Sequence, residues 1–342
     1  TLDSALAQDY PEDRLEIVCV DDGSTDHTAV VLDRYAARYP GRVRVFHQQN
    51  AGYEAATMRA LSEARGELLA LLDADDLWKP GKTAAQVALF RADPDVVLTY
   101  TDLEYIDGDG TVFERSHWQA EQVPVERGPA VLARLLVGDN IATASTIMFR
   151  REILPRITPV PPAVAYIDWW CAMQAAAVGS LDYVDEQLMA YRIHGGNLTM
   201  NAEGAKLAQE LVKRALTRRA TLVHGGAAAL EKHLLVPAWA AVERDLDQAR
   251  AVLAGEDPAL PARWVEDTAA EAVALAHARA LTARGRFVDA QRASLVAAAE
   301  HPGGEGPRRL IDLQDALAAG VAAENHPLAG ARTVVLLAEL DR

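Results

Sequence analysis

The chain has 342 residues, a formal net charge of −15 at pH 7 and 50% hydrophobic residues. The acidic excess argues against a protein that binds nucleic acid or anionic lipid through bulk charge, because such proteins present a face rich in lysine and arginine. No run reaches the roughly 18 consecutive apolar residues that a membrane-spanning helix needs. At about 150 residues per domain, the length predicts two domains.

The two cysteines, Cys19 and Cys171, lie in separate apolar runs without a CxxC spacing. This pattern predicts neither a disulfide framework nor a thiolate zinc site. Because unpaired cysteines are typical of reducing compartments, we expect a cytoplasmic protein.

Strand and helix patterns alternate through the first part of the chain. Short apolar runs predict strands over residues 15–20, 43–47, 68–72 and 96–105, and helical patterns separate them. This alternation predicts an α/β domain with a mostly parallel sheet. In such sheets, ligands bind beyond the carboxyl ends of the strands.

Two clusters of acids follow predicted strands. Asp21 and Asp22 end the first, and Asp73, Asp75 and Asp76 end the third. Carboxylates at one edge of a sheet repel one another, so a cation or a hydrogen-bond donor between them is expected. Hard oxygen ligands suit Mg²⁺ or Mn²⁺. The alternative is that these residues are turn acids and helix caps, which aspartate often supplies.

Two common nucleotide-binding motifs are not supported. No GxGxxG segment follows a predicted strand, which argues against a dinucleotide site. Residues 81–83 (GKT) look like the end of a P-loop, but Asp76 stands where that motif requires its first glycine.

The pattern changes near residue 201. From there to Arg342 the sequence is rich in alanine and leucine with helical periodicity, interrupted by Gly/Pro-containing segments. We therefore predict two domains, residues 1–200 with the α/β pattern and residues 205–342 as an all-helical domain.

Several short motifs together resemble the family 2 inverting glycosyltransferases of the GT-A fold. These motifs are VDDGSTD (Val20–Asp26), NAG (Asn50–Gly52), ARGELLALLDADD (Ala64–Asp76), YIDWW (Tyr166–Trp170) and LMAYRIHGGNLT (Leu188–Thr199). Each motif is weak alone, and their shared order and spacing over residues 1–200 make the resemblance specific.

The resemblance implies roles for individual residues. Asp22 would hydrogen-bond the nucleotide base, Asp73 would contact the ribose, and Gly52 would lie in the nucleotide-binding loop. Asp75, the second acid of a DxD motif, would bind a divalent metal.

Three further roles concern the motifs nearer the end of the resemblance. His194 would reach that metal or the diphosphate. Asp168 would be the general base, although it could also simply cap the helix that follows. Trp169 is a possible acceptor contact, because a sugar ring stacks on an aromatic face, although a tryptophan there could equally belong to the core.

The implied chemistry suits these residue types. Transfer of a sugar from a nucleotide diphosphate places negative charge on the leaving group, which a divalent ion offsets. A carboxylate within hydrogen-bond reach can take the proton of the acceptor hydroxyl. A single displacement inverts the anomeric centre.

The chain also departs from the family pattern. The family's first strand, which lies inside the sheet, is missing before residue 1. Thr57 and Met58 stand where Arg and Asn are usual, and Ile167 replaces the glutamate before the base. The QxxRW motif of processive synthases is absent, which favours transfer of a single sugar.

The sequence therefore predicts a metal-dependent inverting glycosyltransferase. The expected donor is a nucleotide sugar, with a UDP-sugar favoured by family frequency, and the acceptor is a glycan, a small natural product or a peptide. The helical domain is expected to select the acceptor or to form a homodimer. Two alternatives stay open: a sugar-nucleotide pyrophosphorylase, and a catalytically inactive scaffold that recruits partners through its helices.

Overall fold

A computed structural model describes residues 1–123, 125–128, 131–161, 164–194, 204–224, 232–256 and 331–337 of the chain. The strands in these ranges are β1 (Leu15–Asp22), β2 (Val43–Gln48), β3 (Leu68–Asp73), β4 (Leu77–Trp78), β5 (Val96–Ile106), β6 (Val112–Glu114), β7 (Met148–Arg150), β8 (Ser180–Arg192) and β9 (Ala331–Leu337). The helices are α1 (Leu2–Leu6), α2 (Thr28–Arg38), α3 (Tyr53–Glu63), α4 (Lys82–Ala92), α5 (His117–Ala120), α6 (Val131–Val137), α7 (Leu154–Ile157), α8 (Ile167–Ala176), α9 (Gly204–His224) and α10 (Lys232–Glu256).

The described strands form one sheet with the order β2-β1-β9-β3-β7-β5-β8-β4, and β6 pairs with β5. Pairs β1–β2 and β5–β8 are parallel, whereas β9 and β7 run antiparallel to both of their neighbours. Strands β1, β2, β3, β5 and β8 therefore run in one direction. The predicted α/β class is confirmed, but the sheet is mixed rather than mostly parallel, because β7 and β9 separate three of these strands.

Strand β9 corrects the expected boundary of the helical region. The sequence predicts helix throughout residues 205–342, whereas residues 331–337 pair with β1 and β3 inside the sheet. The run Thr333–Val335 is β-branched, which favours a strand over a helix. The position in the sheet between β1 and β3 is thus occupied by β9, which is distant from both strands along the chain.

The chain divides into two compact units. The first comprises Thr1–Pro159, Ile167–Asn197 and Pro327–Arg342, and the second comprises Val160–Tyr166 and Leu198–His326. The first unit holds the whole sheet and helices α1–α8. Each unit therefore contains a short segment from the part of the chain that otherwise forms the other unit.

The core of the first unit explains why the strand sequences are apolar. Side chains of β1 and β3 that are at most 3% exposed include Leu15, Ile17, Cys19, Leu68 and Leu72. Cys19 and Cys171 are both buried, as their apolar surroundings predict. Because both β1 and β3 are covered on each face, they are continuous hydrophobic runs rather than alternating ones.

Helices α9 and α10 are the described elements of the second unit. Their contact includes an ion pair between Arg218 and Asp245, whose side chains are 0% and 1% exposed. In the described part of the chain, no helix combines the length and apolarity required to cross a membrane.

Candidate active site

The two acidic clusters meet at one edge of the sheet. Strands β1 and β3 run in the same direction, and they end at Asp22 and Asp73 respectively. Strand β8 also runs this way and ends at Arg192, two residues before His194. The carboxyl edge of the sheet therefore gathers most of the candidate residues, as the alternating pattern predicts.

Asp22 holds the loop that precedes α3. The Gln48 side chain and the Ala51 backbone N–H donate to Oδ1, and the Gly52 N–H donates to Oδ2, each at 2.8 Å. The side chain is 4% exposed. Because each carboxylate oxygen has two acceptor positions, Oδ2 retains capacity for a further donor such as the imide N–H of a pyrimidine.

Glycine is required where the two loops touch. Gly23 has a φ of +75°, and a Cβ there would lie 2.9 Å from the Asn50 backbone nitrogen. Gly52 has a φ of +91° and precedes the first turn of α3. The DDGS and NAG motifs thus form one folded unit through backbone contacts that larger residues would prevent.

Asp21, at the same edge of the sheet, contacts a histidine on the neighbouring strand. Its Oδ2 lies 2.9 Å from His47 Nδ1, and His47 Nε2 lies 3.0 Å from Asp33 Oδ1. Hydrogen bonds to Asp21 and then to Asp33 raise the pKa of His47 above its ordinary value. Through these two hydrogen bonds, His47 on β2 joins Asp21 on β1 to Asp33 on α2.

The loop after β3 carries three carboxylates within four residues. Asp76 is 1% exposed and accepts a hydrogen bond from Ser145 Oγ at 2.6 Å and one from the Arg192 backbone N–H at 3.2 Å. Burial, together with the charges of Asp73 and Asp75, raises the pKa of Asp76 well above its ordinary value. Asp76 therefore keeps its proton to a higher pH than an ordinary aspartate, which limits the negative charge of the loop.

Asp75 faces the end of β8. Its Oδ2 lies 3.0 Å from His194 Nε2, and the two side chains are 23% and 17% exposed. The Arg192 side chain donates to the Asp75 carbonyl at 3.0 Å and to the Asp107 carbonyl at 2.9 Å. The two residues predicted to bind metal are thus neighbours, although residues 195–199 of the same motif lie outside the described ranges.

The donor set suits Mg²⁺ or Mn²⁺. An aspartate oxygen and an imidazole nitrogen, both partly open to solvent, are at hydrogen-bond distance. No group of three or more His, Cys, Asp or Glu side chains that could hold a metal ion occurs within the described ranges. Mg²⁺ in proteins commonly takes one or two carboxylates, with substrate phosphates and water as its other ligands. Asp75 can supply such a carboxylate, and the His194 imidazole lies beside it.

Asp168 lies in the first turn of α8 and is half-buried. Its Oδ1 accepts the Trp169 N–H at 2.8 Å. Burial raises the pKa of Asp168 to about 6, the negative charge of Asp73 acts in the same direction, and hydrogen bonds from the backbone of Trp169 and Ala144 oppose it. A carboxyl group whose pKa is near neutrality is suited to general-base catalysis.

The negative charge of Asp73 helps to raise the pKa of Asp168, so the acidic loop after β3 lies near the first turn of α8. The glycosyl transferase family 2 sequence profile matches residues 1–158, which include both acidic clusters. Residues 1–158 belong to glycosyl transferase family 2. The match confirms the family that the motifs suggested, and three of those motifs, Val20–Asp26, Asn50–Gly52 and Ala64–Asp76, lie within the matched residues.

Relatives and solved structures agree with this assignment. The chain is 32% identical over 219 residues to an uncharacterised glycosyltransferase of Nostoc sp., covering 63% of this chain and 66% of the relative. It is also 32% identical over 208 residues to an uncharacterised protein of Mycobacterium tuberculosis, covering 59% of this chain and 56% of the relative. The chain thus spans less than two thirds of either relative.

The fold of the family 2 domain also occurs in a solved structure. Residues 1–349 of TarS from S. aureus match with a TM-score of 0.54 at 17% identity, covering 88% of this chain and 86% of that one. At this identity the match supports the fold, which is the GT-A fold expected from the motifs.

One expected contact of the family 2 domain is corrected. Trp169 is 2% exposed, and its indole N–H donates to the Leu135 carbonyl at 3.1 Å. Trp170 is equally buried and donates to the Ile157 carbonyl at 3.0 Å. Trp169 therefore belongs to the core under Asp168 and presents no free face on which an acceptor sugar could stack.

Two residues that shape the family 2 site were missed from the sequence. Arg192 joins the loop after β3 to the turn after β5, and Ser145 joins the two ends of the loop after β3. Arg192 lies in the Leu188–Thr199 motif, which the resemblance had already singled out. Ser145 lies in the run ATASTIMFR, where spacing and composition gave none.

Proposed function

We propose that the family 2 domain transfers a single sugar from a nucleotide-diphosphate sugar to an acceptor hydroxyl, with inversion at the anomeric carbon. The observation that carries the proposal is the gathering of acidic side chains and His194 at the carboxyl edge of the sheet, where β1 and β3 end and Asp75 contacts His194. Asp168 is near enough for the charge of Asp73 to help raise its pKa. A base must lie near the donor-binding loop in an inverting transfer, because the acceptor attacks from the side opposite the leaving group.

The residues divide into two groups in this proposal. Asp22 contacts the base through the free acceptor position of Oδ2, and Asp73 contacts the ribose. Asp75 and His194 hold a divalent ion, either Mg²⁺ or Mn²⁺. When bound, that ion offsets negative charge on the departing diphosphate. The Gly52 N–H is committed to Asp22, so Gly52 contributes loop shape rather than a direct hydrogen bond.

Asp168 takes the proton of the acceptor hydroxyl. With a pKa of about 6, the Asp168 carboxyl group is ionised in most protein molecules at neutral pH. The carboxylic acid formed after transfer releases its proton readily to solvent. Burial, which is the main cause of the raised pKa, also strengthens the interaction of the carboxylate with a bound hydroxyl.

Product analysis tests this function. The chain is incubated with UDP-, GDP- and dTDP-sugars in Mn²⁺ or in EDTA, with Asp168→Asn as the test variant and exposed Asp185→Asn as its matched control. We expect release of a nucleoside diphosphate in Mn²⁺ by wild type and the control, with UDP-sugars preferred. Asp168→Asn should bind donor and lose at least about 10²-fold in turnover.

Two outcomes contradict the proposal. Formation of nucleoside triphosphate from nucleotide sugar and pyrophosphate indicates a pyrophosphorylase. Unchanged turnover in Asp168→Asn eliminates that residue as the base.

For residues 205–342 we propose a role in acceptor selection or dimerisation. Val236 and Trp239 on α10 are 74% and 40% exposed, and their spacing of three residues places them on one face of the helix. Sedimentation velocity of the chain and of Trp239→Glu tests dimerisation: a dimer that dissociates in the variant supports it, and a monomer at all concentrations leaves acceptor selection as the role.

A further inference from the structure

A single turn of residues 144–146 lies against the acidic loop after β3. Ser145 in this turn is 1% exposed. Its Oγ accepts the Asp73 backbone N–H at 3.0 Å and donates to Asp76 Oδ2 at 2.6 Å. One hydroxyl group thus joins the first and last residues of the DADD segment, between which Asp75 lies.

The turn is fixed on its inner side by two buried side chains. The Trp78 indole N–H donates to the Ser145 carbonyl at 2.8 Å, and the Gln86 amide donates to the Thr146 carbonyl at 2.9 Å. Trp78 and Gln86 are 3% and 0% exposed. The position of the Ser145 hydroxyl is therefore set by the core rather than by the acidic loop.

The same turn also lies near the proposed base, since the Ala144 backbone acts to lower the pKa of Asp168. The turn is therefore close both to the loop that would bind the donor and to the residue that would deprotonate the acceptor. Groups held by adjacent residues of one rigid element keep a fixed separation, which reactive sites require within a fraction of an ångström.

We propose that Ser145 is a positioning residue that holds the Asp73–Asp76 loop in the conformation that binds the nucleotide-sugar donor. This inference rests on the proposed function, because it assigns donor binding to that loop. Removal of the hydroxyl leaves the Asp73 N–H and an Asp76 oxygen without this partner in a buried place. The loop then samples other conformations, and donor affinity falls while the acceptor's KM is unaffected.

The test compares Ser145→Ala with Thr146→Ala. Thr146 is also 1% exposed, but its hydroxyl donates to the Thr143 carbonyl within the turn, at 2.7 Å. Both variants therefore lose one buried hydroxyl from the same turn, and only one of these hydroxyls touches the acidic loop. Thermal unfolding of both variants checks that each remains folded.

Two measurements follow. Calorimetric titration with UDP, GDP and dTDP in Mn²⁺ gives donor affinity, and hydrogen exchange followed by mass spectrometry gives the protection of the amides of residues 68–78. In Ser145→Ala we expect Kd and donor KM to rise about tenfold, the change that matches the loss of one buried hydrogen bond. Exchange of the Asp73 amide should accelerate at least tenfold, while Thr146→Ala changes neither by more than about twofold.

The outcomes separate this inference from the proposed function. Donor affinity within twofold of wild type in Ser145→Ala overturns the inference, and so does an equal loss in Thr146→Ala. If wild type binds none of the nucleotides, the proposed function fails. The exchange measurement still shows whether Ser145 fixes the conformation of the Asp73–Asp76 loop. Unchanged exchange in Ser145→Ala then overturns the inference, whereas selective acceleration shows that Ser145 holds the loop.

Discussion

The raised pKa of Asp168 makes a quantitative prediction about stability. Its pKa is raised from an ordinary value of 3.8 to about 6, and each pKa unit corresponds to about 1.4 kcal/mol. Between these two values the unfolded chain has released the proton and the folded chain has kept it, so the free energy of unfolding falls as the pH rises. Above pH 6 the ionised carboxylate costs the folded state about 3 kcal/mol.

Asp168→Asn removes this cost while keeping a carbonyl oxygen for the Trp169 N–H. We therefore expect the variant to gain stability relative to wild type as the pH rises, by about 2 kcal/mol between pH 4.5 and pH 7.5. Urea unfolding followed by tryptophan fluorescence measures the difference, with exposed Asp185→Asn as control. A stability difference that is independent of pH refutes the assignment of a raised pKa to Asp168. Asp168→Asn would then stabilise the fold and abolish activity, which is the trade-off expected of an active-site group whose ionised form is costly to bury.

Two further predictions concern the edge of the sheet. Gly23→Ala should lower the free energy of unfolding by about 2 kcal/mol or more, because the φ of Gly23 is +75° and a Cβ there would lie 2.9 Å from the Asn50 nitrogen. Gly108→Ala is the control and should change the free energy of unfolding little, because a Cβ at Gly108 meets nothing within 4 Å. Equal losses of stability in urea unfolding of the two variants would contradict this reasoning. The raised pKa of His47 means that its charged form stabilises the fold below its ordinary pKa and that this stability is lost as the pH rises through the higher folded value. The Tm difference between wild type and His47→Gln should therefore be larger at pH 5.5 than at pH 9, and a difference that grows with pH would argue against the charged pairing.

The edge of the sheet was predictable because strand direction and acid position are local properties. The runs ending at Asp22 and Asp73 are apolar and bounded by turn residues, so their ends could be assigned within two residues. The pairing of Asp75 with His194 followed from the family motifs, since these residues are 119 positions apart. No pattern in the residues alone joins them.

Other features depend on packing that the sequence does not encode locally. Trp169 could have faced either a ligand or the core, and only the position of the Leu135 carbonyl decides between them. Strand β9 joins β1 from more than 300 residues away, and Ser145 acts through contacts to a loop 72 positions distant. Long-range pairings of this kind are determined by the assembled sheet, so composition and periodicity cannot predict them.

The central claim is that the loop after β3 binds a metal-linked nucleotide diphosphate. A crystal of the chain grown with UDP and MnCl₂, measured at the manganese absorption edge, tests it most directly. We expect an anomalous peak within coordination distance of the Asp75 carboxylate and the His194 imidazole, with the diphosphate on its other side and the sugar-binding space open toward Asp168. A nucleotide bound elsewhere, or manganese bound away from Asp75, would contradict it.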